Sequence, residues 1–143
     1  MSVLTKVKPT VDTPFHIEWD WFRRNAVDGE LLIREQLCAE CRQAFDEGKP
    51  VEEVDWIDPD TGEVFRVDSV REAILSHCQW KPEYISPTTP LVTAVFRTLL
   101  AANNTPLSPR ELAQRLVRWD AQTILAVLSR GDVKWGIMPA DTP

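Results

Sequence analysis

Ser108-Pro109-Arg110-Glu111-Leu112-Ala113-Gln114-Arg115-Leu116, the break Val117-Arg118-Trp119, and Asp120-Ala121-Gln122-Thr123-Ile124-Leu125-Ala126-Val127-Leu128 decide the fold of this chain. Ser108 stands where a helix N-cap should be, with Pro109 at the first helical position. Glu111, three residues on, has capping-box spacing. The helix so started buries Leu112, Ala113, Leu116 and Val117 on one face. Asp120 caps the next, whose apolar face is Ile124, Leu125, Val127 and Leu128, with Gly131 as its stop. Upstream, Leu91, Val92, Val95, Phe96, Leu99 and Leu100 recur at three- and four-residue steps until Asn103-Asn104 and Pro106. Downstream, Val133-Lys134-Trp135-Gly136-Ile137 alternates and predicts one strand of a short ribbon.

Three helices and a ribbon in this order, over residues 90–139, resemble the winged helix-turn-helix superfamily. Ala113 takes the small position where the two helices cross, and Ile124 and Leu128 the buried positions of the second. The resemblance implies DNA binding, with the second helix in the major groove. Gln122 and Arg130 are the side chains on it able to read a base edge, and Arg110, Arg115, Arg118, Arg130 and Lys134 those able to meet phosphates. Two features depart from the family. Asp120 brings the wrong sign toward phosphate, and Val117-Arg118-Trp119 fills a turn where the family often places glycine. Winged helices also serve as protein–protein modules, so an adaptor without DNA stands beside a DNA-binding regulator.

Outward from this stretch the composition changes. The chain has 143 residues and a net charge of −6. Residues 1–85 hold ten Lys and Arg against eighteen Asp and Glu, a balance of −8, and residues 86–143 hold six against four, a balance of +2. The break falls at Ser86-Pro87-Thr88-Thr89-Pro90, a turn or helix entry. The expected organisation is a flexible N-terminus at residues 1–14, an acidic α+β module at 15–85, and a winged helix-turn-helix module at 86–143. An acidic chain is no general nucleic-acid coat. No apolar run reaches the roughly 18 residues of a membrane span, and the first ten residues lack a signal-peptide core. A soluble, cytoplasmic protein with no membrane partner is expected.

The acidic half carries the three cysteines, Cys38, Cys41 and Cys78, and both histidines, His16 and His77. Between Cys38-Ala39-Glu40-Cys41 and His77-Cys78 lies a predicted hairpin. Val51 to Ile57 reads as one strand, Asp58-Pro59-Asp60-Thr61-Gly62 as the turn, and Glu63 to Val67 as the return. Ser69 is the expected cap of a helix over Val70–Trp80. A CxxC, a hairpin and a helix bearing further ligands loosely resemble treble-clef-like zinc modules. CxxC lets two thiolates reach one tetrahedral Zn2+, and three Cys with one His close a structural site. Adjacent residues of a regular helix point about 100° apart, so His77 and Cys78 share an ion only if the helix frays between them. His77 is the expected fourth ligand for its proximity in sequence, with His16, in the alternating segment Phe15–Trp21, as the alternative. The competing reading is plain burial, because Leu37, Cys38, Cys41 and Phe45 also form a helical apolar stripe. No βαβ pattern surrounds the CxxC, which disfavours a thioredoxin-like redox site.

Asp55, Asp58, Asp60 and Glu63 lack the spacing of a calcium loop and read as turn chemistry. Six tryptophans suit the packing of two undersized cores against each other, with Trp80, Pro82, Tyr84 and Ile85 bridging the halves. No phosphate loop, nucleophile elbow or catalytic carboxylate pair is present, so no enzyme is expected. The fold expected is α+β, a zinc-binding hairpin-plus-helix module followed by a winged helix-turn-helix. Three functions fit it: a zinc-containing DNA-binding regulator or accessory factor, an adaptor for a basic protein partner, or a metalloprotein with a small ligand at the Trp-rich junction.

Overall fold

Short elements joined by capped turns follow one another along the chain, which a computed structural model describes over residues 8–140. They are β1 (Phe15–Ile17), α1 (Trp19–Arg24), α2 (Gly29–Arg34), α3 (Ala39–Asp46), β2 (Glu53–Ile57), β3 (Val64–Asp68) and α4 (Ser69–Ser76). A 3-10 turn, Cys78–Trp80, leads to α5 (Leu91–Ala101), α6 (Pro109–Leu116), α7 (Ala121–Leu128) and β4 (Ile137–Pro139). Helices and two small antiparallel sheets make the molecule α+β.

The C-terminal helices begin where their caps dictate. Ser108 Oγ accepts from the Glu111 N–H at 3.1 Å, while Glu111 Oε1 accepts from the Ser108 N–H at 2.9 Å, a closed capping box. Asp120 accepts from the Thr123 N–H at 2.8 Å. α7 ends at Leu128, three residues before Gly131. In α4 the cap is Asp68 rather than Ser69, because the helix starts directly on the last residue of β3. Ser69 Oγ instead donates to the Pro50 carbonyl and accepts from the Glu52 N–H, tying the hairpin's entry.

The expected C-terminal ribbon is built differently. Trp135 (φ 50°) and Gly136 (φ 73°) are both left-handed, and the Ile137 N–H donates to the Lys134 carbonyl at 2.9 Å. Residues 134–137 are therefore a tight turn, and the strand is the segment after it. Glycine is required at 136, since a Cβ there would lie 2.9 Å from the Glu18 carbonyl oxygen. β4 pairs with β1, Phe15 opposite Pro139 and Ile17 opposite Ile137. Phe15 also exchanges backbone bonds of 2.8 and 2.9 Å with Leu107. The first strand of the acidic segment is thus inserted beside the C-terminal helices, across the boundary drawn at Ser86.

The core is equally continuous. Phe15, Ile74, Phe96, Leu99, Leu112 and Ile124 are fully buried members of one apolar cluster drawn from both halves. Arg97, on α5, donates to Gln36 Oε1 at 2.8 Å and to the Tyr84 carbonyl at 2.7 Å, and the Tyr84 hydroxyl donates to the Arg97 carbonyl at 2.7 Å. Tyr84 and Ile85 do bridge, but Trp80 is 70% exposed. The 3-10 turn that sends Cys78 inward carries the residue two places on outward. Of the N-terminus expected to be flexible, residues 8–14 are held against α6. Arg110 donates through its backbone to Val11 and through its guanidinium to Asp12, at 3.0 and 2.9 Å. Residues 1–7 lie outside the described residues. Among the described residues no helix is long and apolar enough to cross a membrane.

Candidate metal centre

The thiols converge because two helix ends meet. Cys38 is the extended N-cap residue of α3, and Cys41 lies in its first turn, so CxxC straddles a helix start and turns both sulfurs the same way. On the facing element, α4 stops at Ser76, and His77 leaves helical geometry at φ −136°, ψ −61°. The helix predicted to run to Trp80 is interrupted between the two candidate ligands, so that His77 reaches Cys38 and Cys41 while Cys78 turns inward against Cys38.

Cys38, Cys41 and His77 each place one ligand atom within 4.8 Å of the others. Cys78 Sγ lies 3.5 Å from Cys38 Sγ and also accepts from the Cys38 backbone N–H at 3.3 Å. Two thiolates on one tetrahedral zinc, each about 2.3 Å from it, stand about 3.8 Å apart. The four residues lie close together, an arrangement compatible with a metal site, with Cys38, Cys41 and His77 as its mutually close donors. His77 Nε2 pairs with Glu40 Oε1 at 2.9 Å, and Lys81 Nζ donates to the same oxygen at 3.3 Å. A carboxylate on one imidazole nitrogen fixes the ring and leaves the other for a metal. Glu40 and Lys81 are the neighbours of the cluster that sequence reasoning missed as a set. Glu40 is visible inside the CxxC, but its partner depends on where α4 ends.

Local electrostatics divide the thiols. At Cys38 burial opposes ionisation, yet the Cys41 N–H, the neighbouring thiols and the Lys81 ammonium outweigh it, and its pKa falls below the ordinary thiol value. Burial raises Cys41, aided by Cys38. Burial raises Cys78 most, against the Cys38 N–H that it accepts. Glu40 is held below the usual carboxylate range by its bonds from His77 and Lys81. The surroundings thus favour the ionised form at Cys38 and the neutral thiol at Cys41 and Cys78. Cys38 and Cys78 are also buried in the core cluster, so packing and ligand geometry coincide here.

His16 falls outside this group. Its strand pairs with β4, and the ring sits opposite Met138, 3.9 Å from Glu18. The six residues expected to contact DNA divide. Arg110 is paired with Asp12, and Arg118 donates to the Thr89 and Ser86 carbonyls at 2.7 and 3.3 Å while stacking on Trp119. Arg115, Gln122, Arg130 and Lys134 are exposed, and among the described residues none of their charges is ion-paired. The acids of the supposed calcium loop do what turns need, Asp58 accepting from the Asp60 N–H at 2.8 Å. No family model, curated protein or solved structure matches the chain.

Proposed function

We propose that the chain is a non-catalytic interaction protein, stapled by a structural zinc ion, whose C-terminal half is of the winged helix-turn-helix kind and whose partner is another protein. The observation that carries the staple is the meeting of Cys38, Cys41, Cys78 and His77 at two helix ends, with Glu40 behind the imidazole. Three sulfurs and a nitrogen favour zinc over the hard cations, which take oxygen. When bound, the ion would supply cross-linking rather than chemistry, since the four donors fill its tetrahedron. The three free cysteines fit a reducing compartment such as the cytoplasm.

Support for the winged reading comes from the order α5, α6, α7, β4, the capping box and the Phe15–Leu107 bridge beside β4. Support for a protein partner comes from the helix that would read DNA. α7 carries no charged residue, has Asp120 at its N-terminus, and two of the expected phosphate contacts, Arg110 and Arg118, are already committed. Trp19, Trp21, Trp119 and Trp135 pack onto the core, which supports an interaction protein over a small-ligand groove at the Trp-rich junction. The second reading, DNA contact, is favoured by the exposure of Arg115, Gln122, Arg130 and Lys134.

Elemental analysis of protein purified under reducing conditions without chelator tests the staple. About one equivalent of zinc is expected, and less than about half an equivalent would overturn it. A mobility shift on mixed-sequence DNA at low salt, where the electrostatic term is largest, tests the partner class. No shift is expected. A shift abolished by replacing Arg115, Arg130 and Lys134 would establish DNA as the partner.

A further inference from the structure

The hairpin β2–β3 is unlike the rest of the molecule. Val54, Trp56 and Phe65 are half-buried, yet they belong neither to the core cluster nor to the side chains packed on it. At the tip, Ile57 and Val64 pair across the strands and are 61% and 57% exposed. A two-stranded hairpin is marginal by itself in water, and among the described residues neither of its edges pairs with a further strand.

Register identifies the open groups. The Asp58 N–H donates to Glu63 and the Ser69 N–H to Glu52, at 2.9 and 2.8 Å, marking the hydrogen-bonded pairs at the two ends. Antiparallel alternation between them turns the backbone groups of Val54 and Trp56 inward and those of Glu53, Asp55 and Ile57 outward. Among the described residues, these outward groups bond no backbone outside the hairpin. The outer edge of β2 is a vacant strand template three residues long in outward donors and acceptors.

The side chains say what would fill it. A strand added to this edge places alternate residues beside Val54 and Trp56, an apolar face backed by Phe65, and the others beside Glu53 and Asp55. Six carboxylates lie between Glu52 and Glu63 with no cation among them. Arg66 answers only Asp55 and Glu53, at 3.1 and 3.7 Å. A second copy of this edge would bring like charges together, which disfavours self-pairing. We propose that the outer edge of β2 takes up, by strand addition, an extended basic segment of a partner protein in which Lys or Arg alternates with apolar residues. Backbone bonds supply the docking, Trp56 and Val54 the apolar contact, and the carboxylates the selection for basic chains. This deepens the protein-partner reading above and rests on it.

The test titrates the full-length, metal-loaded chain into a fluorescein-labelled Lys-Val-Lys-Val-Lys-Val-Lys-Val peptide. A blocked isomer, with every lysine ahead of every valine, and a Glu-Val repeat serve as comparators, read by anisotropy. Saturable binding of the alternating basic peptide alone is expected, weakening about tenfold or more between low and moderate salt. Amide exchange should slow at Asp55 and Ile57. Asp55→Pro deletes one outward N–H and no ladder bond, and should weaken binding by about tenfold or more. If that variant loses its fold by circular dichroism, the Glu53→Gln, Asp55→Asn pair decides, with weaker binding and a flatter salt dependence expected. Equal binding of the blocked isomer, no binding at low salt, or an unaffected neutral pair would overturn the proposal. So would concentration-dependent dimerisation that protects β2 without peptide. Peptide failure with no DNA shift removes the β2 edge and leaves the protein-partner reading standing. A DNA shift lost with Arg115, Arg130 and Lys134 removes that reading, while the peptide titration still judges the edge.

Discussion

Val117 joins α6 to α7 at φ 67°, ψ −36°, with the Arg118 N–H donating to the Leu116 carbonyl at 2.7 Å. This is a γ-turn of the rarer, positive-φ hand, held by a β-branched residue that is 81% exposed. The sequence showed that a glycine was missing from this turn, and the backbone keeps the conformation a glycine would take. Left-handed geometry costs an L-residue about 1–2 kcal/mol, and glycine returns part of that through its greater freedom when unfolded. Val117→Gly should therefore raise stability by about 1 kcal/mol, seen as a Tm higher by about 3 °C. An unchanged or lower Tm would place no strain at this turn. Glu40 offers a second test at the same scale. Glu40→Gln keeps the shape beside His77 but removes the charge, and zinc competition against a chromophoric chelator should show about 10- to 100-fold weaker binding. Unaltered affinity would detach Glu40 from the site.

The longer elements with local signals were legible in the sequence. The six-residue α1 and α2, too short to show a helical period, were not, and the alternation read over Phe15–Trp21 gives way to α1 at Trp19. Pairings that depend on distant partners were not legible either. α6 and α7 carry their starts in Ser108, Glu111 and Asp120, α5 its face in the three- and four-residue steps from Leu91 to Leu100, and the β2–β3 hairpin its turn in Asp58 to Gly62. β1 and β4 are three residues each, pair across almost the whole chain, and leave no pattern that names the partner. The candidate ligands Cys38, Cys41, His77 and Cys78 were legible from residue type and spacing. The preference for His77 over His16 rested on sequence proximity alone, and its structural reason, the pairing of β1 with β4, was not legible. Asp120 makes the cap of α7 testable by pH. Hydrogen bonds from Thr123, backbone first, hold its carboxyl below the usual range. A depressed folded pKa gives stability that is full above the unfolded value, about 3.9, and is lost as pH falls through the folded one. Asp120→Asn still accepts at the cap but does not titrate. Melting of the two proteins should differ by a constant amount from about pH 7 to 5 and converge toward about pH 2.5. Asp12 and Glu40 titrate in the same window but are common to both, so they cancel. A gap that persists unchanged at the acid end would exclude the Asp120 carboxylate as its source.

For the molecule as a whole, the boundary in charge is not the boundary in structure. The acidic and basic segments meet at Ser86, but β1 lies between Leu107 and β4, and Gln36, Arg97 and Tyr84 bond the segments within one core. A metal staple at Cys38, Cys41, His77 and Cys78 would then stabilise more than its own half. Cys38 and Cys78 belong to the cluster that also contains Phe96, Leu112 and Ile124, so loosening α3 from α4 disturbs the packing under α5. Structural zinc contributes on the order of 10 kcal/mol to small domains, comparable with a whole domain's stability of about 5–15 kcal/mol. Stripping the metal with a strong chelator under reducing conditions should therefore unfold most of the chain, and Cys38→Ser should do the same. Far-UV circular dichroism and tryptophan fluorescence should lose signal together, along one transition. Independent modules would behave otherwise: the acidic half would melt first, and α5, α6 and α7 would keep their helicity to a second, metal-independent transition. Two separated transitions would show that the shared core does not couple the halves, and one shared transition that the staple acts on the entire fold.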